Sequence, residues 1–148
     1  MIGRQAFPVE DAPAELALLA EGFESAPLAD AMRLCAGVMR QALRDNFTSS
    51  ATPDNSNWPA RKRKGDGHPL LIDTGALLQA ATGGGAGHIE QIDAREVAMG
   101  VDGRVIPYAA THNYGRDAIP QREYAGLRPE HADACQDLIA DGLLQEIG

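Results

Sequence analysis

Little in this chain points to covalent or metal-centred chemistry. Its two cysteines, Cys35 and Cys135, lie a hundred positions apart inside apolar stretches, so each reads as a small buried hydrophobe rather than part of a disulfide framework. The four histidines, His68, His88, His112 and His131, form no HExxH pair and have no CxxC or acidic cluster beside them, so metal binding is not expected. No run approaches the ~18 apolar residues of a membrane span, and the opening MIGRQAFPVEDAP lacks the apolar stretch of a signal peptide. The expectation is synthesis in a reducing cytosol, with no membrane partner.

Positive charge is also scarce, and four of the 13 basic residues are consecutive, Arg61, Lys62, Arg63 and Lys64. The other nine face 21 acidic residues, which leaves −12 on the rest of the chain. A body this acidic argues against general binding to the DNA backbone, whose affinity comes from many Lys and Arg neutralising phosphates. The basic run itself has three readings: a solvated loop, a grip on nucleic acid helped by nearby Trp58, or a segment that orders on an acidic partner.

Catalytic constellations are missing as well. The run GGGAGH lacks the Lys-Ser/Thr of a phosphate loop, and Ser49, Ser50 and Ser56 have no GxSxG context. No acid, base and nucleophile come together, so no catalytic residue, cofactor or metal is expected. A hydrolase built on Asp73 or His112 would require a concave pocket with perturbed titrating groups around them.

What is present is a globular pattern: 148 residues at 44% hydrophobic suit one domain with its own core. Residues 1–24 read as an arm, with a short helix possible between Asp11 and Gly22. Residues 25–148 read as a single domain. Ser25-Ala26-Pro27 signals a helix start, and Leu28, Ala31, Met32, Cys35, Val38, Met39, Ala42 and Leu43 recur at helical steps to about Phe47. Residues 48–69 are rich in Pro, Gly, Ser, Asn and Asp, which predicts a long flexible basic loop. Asp73 is placed to cap a short helix ended by Gly83-Gly84-Gly85. His88–Ile92 and Val97–Val101 read as strands, PYAATHNY as a short helix stopped by Gly115, and Ile119–Leu127 as a further strand. Ala134, Cys135, Leu138, Ile139, Leu143 and Ile147 mark a final helix. The predicted fold is α+β, with a small, mostly antiparallel sheet packed against long N-terminal and C-terminal helices.

Five patches then occur in order: Asn46-Phe47; Trp58-Pro59 with the basic run; Leu71-x-Asp73-Thr74-Gly75; Tyr108-Ala109-x-x-His112-x-x-Gly115; and Ile119-Pro120-x-Arg122-x-Tyr124-x-Gly126-Leu127. Over roughly residues 28–148 this set resembles the Mu-like phage virion morphogenesis, or tail-completion, family. Tyr124 stands where Phe is more usual, and the arm and residues 83–87 lie outside the pattern. The Asp-Thr-Gly triplet also occurs in aspartic proteases, but here it opens a helix, and one short chain cannot pair two aspartates without dimerising.

The resemblance implies a structural protein of the head–tail junction: a tail-completion, terminator or neck protein forming a ring, expected to be a hexamer. Its partners would be copies of itself and the connector and tail-tube proteins, with genomic DNA passing through unread. The host cytoplasm would be its place during assembly and the virion its destination. Trp58, Arg61, Lys62, Arg63, Lys64, Arg122 and Tyr124 are expected as contact residues, because exposed aromatic and Arg side chains anchor interfaces. Asp73, Thr74, Gly75, Tyr108, His112, Gly115 and Pro120 are expected as structural motif positions. The alternative is a small nucleic-acid-binding protein using residues 61–64.

Overall fold

A three- and four-residue recurrence of apolar side chains makes the longest element, helix α1 (Ala26–Ser49). Its stripe of Leu28, Met32, Cys35, Met39, Leu43 and Phe47 is at most 3% exposed, while Asp30, Arg33, Gln41 and Arg44 face outward. In this computed structural model residues 3–8, 26–62, 67 and 69–147 are described, with side chains for 27–62, 67 and 69–145. The expected serine cap at Ser25 and the short helix after Asp11 lie outside the described residues.

The C-terminal helix, α4 (Pro129–Ile147), lies along α1 and buries Cys135, Ile139 and Leu143 against it. The two cysteines meet at this crossing, each thiol donating to the other residue's carbonyl, at 3.6 and 4.0 Å. Both are free and buried, as small hydrophobes would be. The helices approach closely because Gly142 has no side chain. A Cβ there would stand 2.9 Å from the Ala31 Cβ and 3.1 Å from the Pro27 carbonyl. Gly142→Ala is therefore expected to cost about 1–3 kcal/mol through overpacking, read as a lower urea midpoint with an unchanged slope.

Strand β1 (Gly3–Pro8), β2 (His88–Ile92) and β3 (Glu96–Val101) form an antiparallel sheet in the order β1-β3-β2. The β2–β3 turn is fastened by Asp93, whose carboxylate accepts the N–H groups of Arg95 and Glu96 at 2.7 and 2.8 Å. β1 pairs with the other side of β3, Gly3 opposite Val101 and Pro8 opposite Glu96. The first residues of the expected arm are thus a strand, made by a partner ninety positions away in sequence rather than by local pattern. Central β3 buries Val97, Ala98, Met99 and Val101, so neither of its faces is open to solvent along these residues.

Helix α2 (Ala76–Thr82) starts later than expected. Asp73 does not cap it: Gly75 takes that position in the left-handed conformation (φ 83°), and Thr74 Oγ1 accepts the Ala76 N–H at 3.3 Å. Gly83 (φ 94°) ends the helix, with the Gly84 N–H donating to the Gln79 carbonyl at 2.8 Å. α3 (Ala109–Tyr114) stops at Gly115, whose N–H donates to the Thr111 carbonyl at 2.9 Å.

Two expectations need correction. Residues 119–127 join no strand of the sheet, and side-chain amides rather than a neighbouring strand take up backbone hydrogen bonds at residues 124–126. The loop 48–69 is also not simply flexible. Residues 51–57 close into a tight turn, with Ala51 bridged to Asn57 and the Trp58 N–H donating to the Ser50 carbonyl at 2.8 Å. A core that includes Phe47, Trp58, Leu77, Val97, Ala109 and Tyr124 ties the loop, helices and sheet together.

Candidate functional site

The patches singled out in the sequence divide into a clamp and a cleft. In the clamp, Asn46 is fully buried on α1, and its Nδ2 donates to the carbonyls of Tyr124 (2.9 Å) and Gly126 (3.1 Å). Its Oδ1 accepts from Arg128 Nε at 3.2 Å. From the other side, Asn113 on α3 accepts the N–H groups of Tyr124 and Ala125 through its Oδ1 at 3.1 and 3.0 Å. Two buried amides thus stand in for a strand along residues 124–126, meeting the requirement that buried backbone groups be paired.

Trp58, Arg122 and Tyr124 belong to this clamp, which corrects their expected place as exposed contacts. They are 4%, 8% and 2% exposed. The Trp58 ring stands edge-on to Phe47 (5.7 Å, 89°), Phe47 lies 5.2 Å from the Tyr124 ring, and Trp58 Nε1 donates to the Glu123 carbonyl at 3.0 Å. Tyr124 Oη donates to the Ala109 carbonyl, and burial first, then nearby Tyr114, raises its phenol above the ordinary range. Arg122 Nε and Nη2 donate to the Pro59 and Ala60 carbonyls at 2.8 and 3.2 Å, fixing the chain just after Trp58.

The cleft opens beside the clamp. Asp73, Thr74, Gly75, Tyr108, His112 and Arg122, drawn from three distant patches, line a volume of about 500 Å³ together with Arg61 and the apolar side chains of Leu70, Leu71 and Leu77. That is the size of a ligand or side-chain pocket. One wall carries backbone strain, since Leu71 sits at φ 61° and the adjacent turn closes by an Ile72 N–H to Pro69 carbonyl bond at 3.2 Å. Arg61 Nη2 donates to the Pro69 carbonyl at 2.9 Å, and exposed Lys62 reaches the Ala118 carbonyl at 3.3 Å. Arg63 and Lys64 lie outside the described residues.

His112 lines the cleft beside Arg122. Burial and then the Arg122 guanidinium lower its pKa below the ordinary imidazole value, so it is neutral near pH 7. Its buried Nδ1 has no hydrogen-bond partner among the described residues, and the half-exposed Tyr108 ring stands edge-on to it at 5.8 Å. Asp73 and His112 therefore do share a concave site with a perturbed imidazole. What is missing is an orienting hydrogen bond on Nδ1, the second link that a general-base histidine uses. Among the described residues no group of three His, Cys, Asp or Glu could hold a metal ion, and no helix is long and apolar enough to cross a membrane.

Gly115 has the geometry of a structural position. A Cβ on Gly115, at φ 75°, would lie 3.0 Å from the Gln121 nitrogen, so only glycine lets α3 turn back this tightly. Asn113 was the position that pattern reading passed over. Its signal was available: a polar residue inside a helix otherwise built of small and aromatic side chains.

The model of the phage virion morphogenesis family matches residues 9–144 of the chain. No curated protein and no solved structure matches it.

Proposed function

This chain belongs to the phage virion morphogenesis family, and from that we propose that it is a structural protein of the head–tail interface, a tail-completion, terminator or neck protein whose copies form a ring between tail tube and connector. The family match carries this reading, since it takes in all five sequence patches. The division of those patches supports it: one set fastens the fold, and the other lines a recessed surface suited to recognition. Heterologous contacts about a rotation axis close into rings, and a hexamer is the number this reading takes. The protein acts in the virion after assembly in the host cytoplasm, without enzymatic chemistry.

Charge gives the subunits a way to find one another. The basic run Arg61 to Lys64 stands against a body of −12, so copies associate partly by pairing loop with body, while an acidic channel keeps DNA from sticking as it passes. The competing nucleic-acid reading loses its aromatic platform, because Trp58 is 4% exposed and engaged with Phe47.

Phage lacking this chain are expected to accumulate heads and tails that do not join, and the wild-type chain supplied separately restores joined particles. Replacing Arg61, Lys62, Arg63 and Lys64 by Ser should sharply lower the yield of joined particles. Normal joining without the chain refutes the function. Normal joining with the four serines refutes only the charge pairing.

A further inference from the structure

Two nucleophilic side chains that the proposed function does not use meet where α4 crosses α1. Cys35 Sγ lies 3.6 Å from the Cys135 carbonyl, and Cys135 Sγ lies 4.0 Å from the Cys35 carbonyl. Each side chain therefore points across the crossing at the other residue's backbone, the mutual orientation that a disulfide needs. One turn along α1 the helices are held close by Gly142 against Ala31. The sulfurs are neighbours as well. A hydrogen bond from the Cys135 thiol holds Cys35 below the ordinary thiol value, with burial opposing it, and the same contact together with burial pushes Cys135 up. We infer that Cys35 and Cys135 are an oxidisable pair, with a hydroperoxide as the oxidant, and that their disulfide staples α1 to α4.

Both residues are 0% exposed, so a reagent reaches them only when the helices part briefly. That favours a hydroperoxide, whose smallest member is little larger than water, over a bulky disulfide. Cys35, the thiol that ionises first, attacks one oxygen of the peroxide. The O–O bond breaks, the other oxygen leaves with the proton that Cys35 released, and Cys35 becomes a sulfenic acid. The Cys135 sulfur then attacks the Cys35 sulfur, the S–O bond breaks, and that oxygen leaves as water with the Cys135 proton. The two thiols lose two electrons and the peroxide gains them. The bond spans 100 positions of the chain, with the clamp, the cleft and the β2–β3 hairpin between its ends, and a long closed loop is where a cross-link restricts the unfolded chain most. In a reducing cytoplasm the pair stays as thiols, and it closes once the particle is outside. That timing rests on the virion reading; the chemistry of the pair does not.

The test uses the full-length folded chain, treated with hydrogen peroxide and then quenched in urea with iodoacetamide to cap any remaining thiol. Mass spectrometry is expected to find a chain lighter by two hydrogens, with the Cys35 and Cys135 peptides joined and separated again by dithiothreitol. Methionine oxidation adds oxygen and is told apart by mass. The joined chain should unfold at a urea concentration higher by about 1–2 M, and Cys135→Ala should abolish both the loss of hydrogens and this rise. Two capped thiols, cysteines carried on to sulfinic acid, or a bond formed only between copies overturns the proposal, and so does a bond that lowers the midpoint. The same capping applied to infected cells and to released particles reads the timing, with thiols expected in the cells and the disulfide in the particles. Thiols in both refute the timing alone. A chain missing from the particles refutes the virion reading and leaves the link in the purified chain standing.

Discussion

Trp58→Ala is expected to remove about 3–5 kcal/mol of stability, the cost of deleting a large buried aromatic side chain, and this is a large share of the roughly 5–15 kcal/mol that holds a domain folded. The effect concentrates here because the ring does several things at once. It is 4% exposed, stands edge-on to Phe47 at 5.7 Å, and gives its indole N–H to the Glu123 carbonyl at 3.0 Å. Losing it opens a cavity between the loop and residues 122–124 and leaves a carbonyl without its donor. Equilibrium urea unfolding measures this directly. Trp58→Phe separates the parts, since it keeps most of the apolar volume and loses the hydrogen bond, and should cost about 1–2 kcal/mol. A Trp58→Ala chain as stable as the wild type would mean that the loop does not rest on this residue.

Asn46→Leu is expected to cost about 3 kcal/mol even though leucine fills a similar volume. The carbonyls of Tyr124 and Gly126 and the Nε of Arg128 would each lose a partner bonded at 2.9, 3.1 and 3.2 Å. Buried polar groups left unsatisfied cost about 1–3 kcal/mol each, partly relieved where the backbone can relax toward water. Amide hydrogen exchange gives a second readout. Protection at Tyr124 and Ala125 depends on Asn113, across from Asn46, so it should fall when the segment loosens. Unchanged stability in Asn46→Leu would show that the segment is held without its amide.

These two residues also show where sequence reading succeeds and where it stops. Helices α1 and α4 were legible because their apolar side chains repeat locally at three and four residues. The β2–β3 hairpin was legible from its strand residues, and Gly83 and Gly115 from the helix stops they supply. Strand β1 was not, because GRQAFP has no alternation and becomes a strand only by pairing with β3, far along the chain. Trp58, Arg122 and Tyr124 were expected as exposed contacts because aromatic and Arg side chains anchor interfaces. Their burial comes from one another and from Phe47, and the contacts that join Phe47 and residues 58–60 to residues 122–124 span more than sixty positions, which local pattern does not carry. Residues 119–127 form no strand of the sheet, and nothing nearby shows that Asn46 and Asn113 supply hydrogen bonds to residues 124–126 in place of one. Asp73 had the chemistry of a cap but lost the position to Gly75, whose left-handed backbone starts α2 two residues further on.

The cleft was legible only in pieces. Asp73, His112 and Arg122 each stood out within a motif, but nothing in the spacing said that the three line one recess. The fold brings them together because the same clamp that buries Trp58 and Tyr124 holds Arg122 beside α3, where His112 projects, and next to the strained turn ahead of α2. The residues that fasten the fold and those that line the cleft therefore overlap, and Arg122 belongs to both sets.

The proposed role is that of a ring where head meets tail. Imaging that junction in purified particles, with the chain labelled and its copies counted, tests it most directly. A ring of about six copies on one rotation axis between tail tube and connector is the predicted result. Particles that join normally and contain no copy of the chain would contradict it.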